Sequence, residues 1–132
     1  MEKITRLAIS LPRELFEEFE GAARRQAYSN RSKAIADALR AYLSTIAWRA
    51  GEGRRIGVIS LLYAHHVRGT LEKLTDTQHA FSDVIVSSTH AHLDKEDCLE
   101  IIVTRGNARR IEKLFHELKA ARGVKGGKMS VF

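Results

Sequence analysis

The chain has 132 residues, 44% of them hydrophobic, with 22 Lys and Arg against 16 Asp and Glu and a net charge of +6. That length suits one ordinary domain or two small ones. No apolar run approaches the ~18 residues a membrane span needs, and the charged opening MEKITRLAIS is no signal peptide. A single cysteine cannot close an intramolecular disulfide, so nothing points to secretion and a cytoplasmic home is expected. A basic balance favours nucleic acid or another anionic surface as partner. Residues 1–50 hold nine basic and six acidic residues, and 51–132 hold thirteen and ten. Each half is therefore +3, and charge alone does not locate a binding face.

Ile4 to Leu11 alternates, with Leu7, Ile9 and Leu11 on one side and Arg6, Ala8 and Ser10 on the other. This is the period of a half-buried strand. Pro12 stops it and suits the first turn of a helix. Leu15, Phe16, Phe19, Ala22 and Ala23 then recur at helical spacing, with Arg24 and Arg25 complementing the carbonyl end. Tyr28-Ser29-Asn30 breaks the pattern, and Ser29 or Asn30 is a good N-cap for a second helix with the stripe Ile35, Leu39, Tyr42, Leu43 and Ile46. Strand, helix and helix in about 45 residues are too few to bury both stripes and a lone strand. A dimer whose two strands pair antiparallel is the economical solution.

Residues 47–55, AWRAGEGRR, carry two glycines and mixed charge and read as a linker. Ile56 to Ala64 is a strongly apolar run, expected as a central strand. Val67 to Leu74, extended toward Gln78, looks helical. Val84 to His92 alternates as a strand, Asp94 to Asp97 is a polar turn, and Cys98 to Arg105 is a third strand. Asn107 caps a helix with Ile111, Leu114, Phe115 and Leu118 on one face, and Gly123 ends it. Val124 to Phe132 supplies a last strand, loosened by Gly126-Gly127. The order β-α-β-β-α-β is the split βαβ arrangement. The expected architecture is α+β, with a βαα module at 1–47, a linker at 48–55 and a second domain at 56–132.

Within that second domain, His79, His90, His92 and Cys98 gather half of the six histidines and the sole cysteine. Imidazole and thiolate make a soft-to-borderline metal site. His90 and His92 are two apart on a strand and share a face. The turn at 94–97 returns the chain so that Cys98 opens the neighbouring strand, and three donors converge from one hairpin. His79 lies at the end of the preceding helix and completes the site only if the fold or a second subunit brings it near. Buried inert Cys and scattered surface His are the plain alternative, and the donors alone do not choose among zinc, copper, nickel and cobalt. A nucleophilic Cys98 with His90 or His92 as base lacks any orienting third residue. No enzyme is expected.

In the amino-terminal half, Arg6, Ala8 and Ser10 form the outward face of a paired two-stranded ribbon, a shape that fits the major groove of B-DNA. Asn30, Arg31 and Ser32 offer helix N-terminal amides and a cation to phosphate, with Lys33 beside them. Taken singly, each of these is more often a solvated strand or an ordinary cap. Met1 to Ile4 extend ahead of the strand, and their role in DNA contact is left open by the sequence.

At this point the chain resembles the nickel-responsive transcriptional repressors, the NikR family, over nearly its whole length. ITRLAISL, LPRELFEEF and YSNRSKAIADAL are similar to a ribbon-helix-helix module. Thr77-Gln78-His79, His90-Ala91-His92 and Asp97-Cys98-Leu99-Glu100-Ile101 are similar to a regulatory domain of ACT type, at matching spacings. The resemblance implies a homotetramer, a dimer of dimers, with one nickel(II) per subunit in a planar site of His90, His92 and Cys98 plus His79 of the facing chain. It implies Gln78 and Glu100 as partners behind the ligands, and a double-stranded, pseudo-palindromic operator as the target. It also implies weaker secondary metal sites near His65-His66 in some relatives; exposed histidines at a strand end are the equal alternative, and His116 reads as surface. Two positions depart from the family. The outward strand face usually carries an Arg and two Thr, whereas Ala8 has no hydroxyl. Where relatives place an acidic pair, this chain has Lys33 and Asp37, so no bound cation is expected there, and whether the lysine takes its place is left open by the sequence. A regulator of the same build that senses a small metabolite is the rival reading.

Overall fold

The computed structural model describes residues 2–132, save the side chains of Ala47, Arg49 and Ala50. Met1, at the head of the stretch Met1–Ile4 whose role at DNA the sequence leaves open, lies outside the described residues. The chain divides into two compact units, Met1–Arg40 and Ala41–Phe132.

The first unit holds α1 (Arg13–Arg25) and the start of α2 (Arg31–Ala50). Pro12 stands one position ahead of α1 rather than in its first turn, and its carbonyl accepts from Phe16 N at 3.1 Å. Asn30, not Ser29, caps α2, its Oδ1 accepting from Lys33 N at 3.2 Å. The alternating segment 4–11 forms no strand in the single chain. A strand is defined by the bonds it exchanges with a neighbour, and this one has no neighbour among the described residues of its own chain. Its apolar residues stand in solvent, with Leu7 71% and Ile9 60% exposed. Ile9 and Leu11 line an apolar cavity of about 670 Å³ with Leu15, Phe16, Phe19 and Ile35.

The second unit is a four-stranded antiparallel sheet. Its strands are β1 (Arg54–Ala64), β2 (Ile85–His92), β3 (Asp97–Asn107) and β4 (Val124–Val131), in the order β2-β3-β1-β4. Helices α3 (Thr70–Ala80) and α4 (Ala108–Ala120) bury one of its faces. Alternate residues take that face: Ile59, Leu61 and Tyr63 from β1, and Cys98, Glu100, Ile102 and Thr104 from β3, all buried. Leu74 of α3 and Ile111, Leu114 and Leu118 of α4 close the core. Asn107 caps α4 as expected, accepting from Arg110 N. Gly123, three residues past α4, has φ of +90°, and a Cβ there would collide with Thr70 Oγ1.

Two boundaries differ from those expected. The stretch 48–55 expected as linker is the last turn of α2, a glycine turn with Gly51 and Gly53 at positive φ, and the first residues of β1. Trp48 packs against the core of the second unit, which makes that turn part of a folded body. Helix α3 begins at Thr70 rather than near Val67, because Gly69, at φ of +86°, takes the left-handed conformation just ahead of it.

Candidate metal centre

The register of the β2–β3 hairpin sets His90 opposite Glu100 and His92 opposite Cys98, and β1 sets Tyr63 opposite Cys98. Directly opposed residues project to the same face. The five side chains therefore meet on the face covered by the helices, at the end of the sheet where β1 gives way to the loop of His65.

Two groups of contacts result. In the first, Cys98 is 1% exposed, and its Sγ lies 3.1 Å from His92 Nδ1 and 3.4 Å from His65 Nδ1. The His65 and His92 rings stand edge to face, 5.8 Å between centroids. Donor atoms of His65, His92 and Cys98 all fall within 4.8 Å of one another. Two imidazoles and a thiol at that spacing fit a borderline transition metal.

In the second group, buried Glu100 accepts a short hydrogen bond from Gln78 Nε2, and its other oxygen lies 3.2 Å from His90 Nε2. The remaining nitrogen, His90 Nδ1, is 2.9 Å from Tyr63 Oη. Burial, followed by the nearby charges of Glu100 and Cys98, pushes the Tyr63 phenol up to about 12, so it stays protonated beside the imidazole. Both ring nitrogens of His90 thus face protein partners. To ligate a metal, this ring must give one of them up.

His79 is exposed on the last turn of α3. It lines a cleft of about 260 Å³ shared with Tyr63, Gln78, His90 and Glu100, and it does not belong to the trio of donors. Of the four ligands expected from sequence, the single chain brings His92 and Cys98 into contact. It holds His90 on the same face two residues away and leaves His79 apart. Gln78 and Glu100, expected behind the ligands, are bonded to each other.

His65 is the residue whose role the sequence leaves open. The signal lies in its parity: it follows Tyr63 by two positions, and Tyr63 is the register partner of Cys98. Its backbone N is fixed by Glu96 O at 3.1 Å, in the turn that joins His92 to Cys98.

The expected DNA-facing residues fall into two kinds. Arg6, Ala8, Ser10 and Ser32 are exposed. Asn30 is engaged as a cap, and Arg31 is committed to Glu20, Nε to Oε1 at 2.6 Å, with its guanidinium 5.0 Å over the Phe16 ring. Lys33 Nζ sits 2.6 Å from Asp37 Oδ1, and Tyr28 donates to the other carboxylate oxygen at 2.6 Å. These two bonds, Lys33 foremost, hold the Asp37 carboxyl below its usual range.

Known proteins resemble this chain in sequence and in fold. Residues 56–132 match the family described as the NikR C-terminal nickel-binding domain. A relative from Methanocaldococcus jannaschii is 44% identical over 99% of this chain and 94% of its own, and one from Geobacter sulfurreducens is 42% identical over 98% and 93%. Both carry the description "Putative nickel-responsive regulator". Among solved structures, an uncharacterized protein from Thermotoga maritima superposes with a TM-score of 0.55 at 16% identity, over 61% of this chain and 99% of its own. The ACT domain of a GTP pyrophosphokinase from Chlorobium tepidum superposes with a TM-score of 0.50 at 14% identity, over 59% and 100%. These two likenesses bear on the fold alone, an ACT-like α+β sheet. With the family's domain matched over residues 56–132 and relatives above 40% identity along nearly its full length, the chain belongs to the nickel-responsive regulator family.

Proposed function

We propose that this chain is a nickel-responsive, DNA-binding transcriptional regulator, a repressor of nickel uptake or related genes, and not an enzyme. The observation that carries the reading is the buried Cys98 thiol with the His92 imidazole against it, on a hairpin that also presents His90. Nickel(II), one per subunit, is held in this reading by His90, His92 and Cys98 together with His79 of a facing subunit. When bound, the ion supplies a clamp whose donors come from two chains. The thiol must lose its proton and the imidazoles must be neutral. Glu100, steadied by Gln78, stands 3.2 Å from Nε2 of His90, which leaves Nδ1 as the nitrogen for the ligand side.

The functional unit is a homotetramer, a dimer of dimers. The exposed apolar residues of segment 4–11 and of α1 supply the dimer contact, and the paired strands offer Arg6, Ala8 and Ser10 to the major groove of a pseudo-palindromic operator. Asn30, Arg31 and Ser32 lie at the start of α2 to meet the flanking phosphates. Lys33, paired with Asp37, supplies in this chain the fixed positive charge that a bound cation would supply. Metal binding shifts the tetramer only by its different affinity for the DNA-competent and other arrangements.

His65 favours a second reading of the donor set, with His65 in the place given to His90. A titration with nickel, copper and zinc, followed by absorbance on the full chain and its Cys98→Ala, His90→Ala and His65→Ala variants, decides both. Cys98→Ala is expected to abolish the planar nickel spectrum and nickel-dependent operator binding. If it keeps both, the nickel donors lie elsewhere in the chain; if the parent chain binds none of the three metals, a metabolite-sensing regulator becomes the better account. Greater loss from His90→Ala than from His65→Ala supports the first donor set; the reverse supports the second.

A further inference from the structure

Helix α3 carries Gln78 and His79 in its last turn and has 11 residues. A helix that short is marginal on its own, and its carbonyl end lacks intrahelical partners. What fixes that end decides where His79 stands. The fixing residue comes from α4. Arg110 Nη2 donates to Ala80 O at 2.8 Å, the carbonyl of the residue after His79. Its Nε and Nη2 reach the two carboxylate oxygens of Asp83 at 3.1 and 3.0 Å. Its guanidinium lies 4.1 Å over the ring of Phe81, which is buried in the core.

One planar side chain thus holds residues 80, 81 and 83 at once. Only a guanidinium can fork to a carboxylate, stack on a ring and bond a carbonyl in the same pose. Arg110 is itself fixed, since its backbone N donates to the Asn107 cap at 3.2 Å. The Asp83 carboxyl, foremost through its hydrogen bonds to Arg110, is held below its usual range.

We infer that Arg110 is a positioning residue for the metal centre: it bolts the end of α3 to α4, so that His79 is presented as a ready donor to a facing subunit. This rests on the reading of His79 as the inter-subunit ligand. Without the bolt, the last turn opens part of the time, and the apparent metal affinity falls with the fraction of chains that hold His79 in place.

The test uses the full chain and measures nickel affinity by chelator competition, the nickel absorption spectrum, and the thermal midpoint of the metal-free protein. Arg110→Ala is expected to weaken nickel binding by about 10- to 100-fold, the range seen when a partner behind a ligand is lost. Its spectrum should move toward that of His79→Ala. Arg110→Lys, which keeps the charge and loses the fork, should recover only part. Thr70→Val is the control: it removes the bond from Thr70 Oγ1 to Arg122 O, 2.8 Å, at the opposite end of α3. It is expected to lower the thermal midpoint and leave the nickel spectrum unchanged. If Arg110→Ala binds nickel as the parent does while His79→Ala is impaired, Arg110 has no positioning role and the inference is overturned. If His79→Ala itself binds normally, it is the inter-subunit reading that fails. Should Arg110→Ala not fold, Asp83→Ala removes the fork while leaving the contacts to Ala80 and Phe81. A few-fold loss of nickel affinity in that variant supports the bolt, and parental affinity overturns it.

Discussion

At the scale of single residues, Tyr63 joins the core to the site. It is fully buried, lies opposite Cys98 and meets His90. Its phenol is raised from 10.0 to about 12, first by burial. A raised pKa means that folding favours the protonated form. The stability linked to this group is therefore complete below pH 10 and is lost as pH rises through 12. Urea midpoints followed across that window should fall, and Tyr63→Phe should remove most of the fall. A phenolate absorbance change that is complete near pH 10 would contradict the assignment. His90 and Cys98 are legible in the sequence because strand parity and a polar turn are local signals. The engagement of both His90 nitrogens is not, since Tyr63 and Glu100 reach it across three strands. His65 sits just beyond a strand end, and its parity with Tyr63 becomes a signal only once the register of Tyr63 opposite Cys98 is known.

At the scale of elements, the second unit is largely readable from its sequence. Period-two alternation marks β2, a continuous apolar run marks β1, and Asn107 marks the start of α4, each a contact within a few residues in sequence. The turn after α2 reads as a linker because Gly51 and Gly53 are loop residues by composition, while the packing of Trp48, in the helix before them, on the core is a contact distant in sequence. Segment 4–11 has a strand's pattern and no strand's bonds, because its pairing partner, in the proposed dimer, is a second chain. Its amides should therefore exchange with solvent quickly at dilution and slowly at concentrations where the dimer is populated. Hydrogen exchange of Leu7 and Ile9 across a dilution series measures this; protection independent of concentration would refute the ribbon.

At the scale of the whole molecule, the proposed ligand set, drawn from two chains, makes a demand that no single subunit can meet. His79→Ala and Cys98→Ala, prepared separately, should each lack the native nickel site. Mixed and reassembled, a His79→Ala chain still offers His90, His92 and Cys98, and a facing Cys98→Ala chain still offers His79. Each such mixed pair regains one intact site of two. Recovery of the planar nickel spectrum on mixing is the expected result, and no recovery in demonstrated mixed tetramers would place all four donors in one chain. Acidification should weaken binding in every assembly, since protons compete for thiolate and imidazole alike.

The register of the β2–β3 hairpin has a bearing on how such a site is inherited. His90 and His92 face their partners Glu100 and Cys98 only while the count of residues along β2 keeps its parity. A slip of one turns every side chain to the other face. Adding one residue between His90 and His92 would therefore scatter the donors although none had been replaced, whereas adding two would keep both on one face. Upstream the rule relaxes, for the pairing already shifts by a residue between Ile85 and Ser87, and a bulge there absorbs a change in length. Descendants of this chain are free to vary in length before the bulge, and beyond it they are held to even numbers.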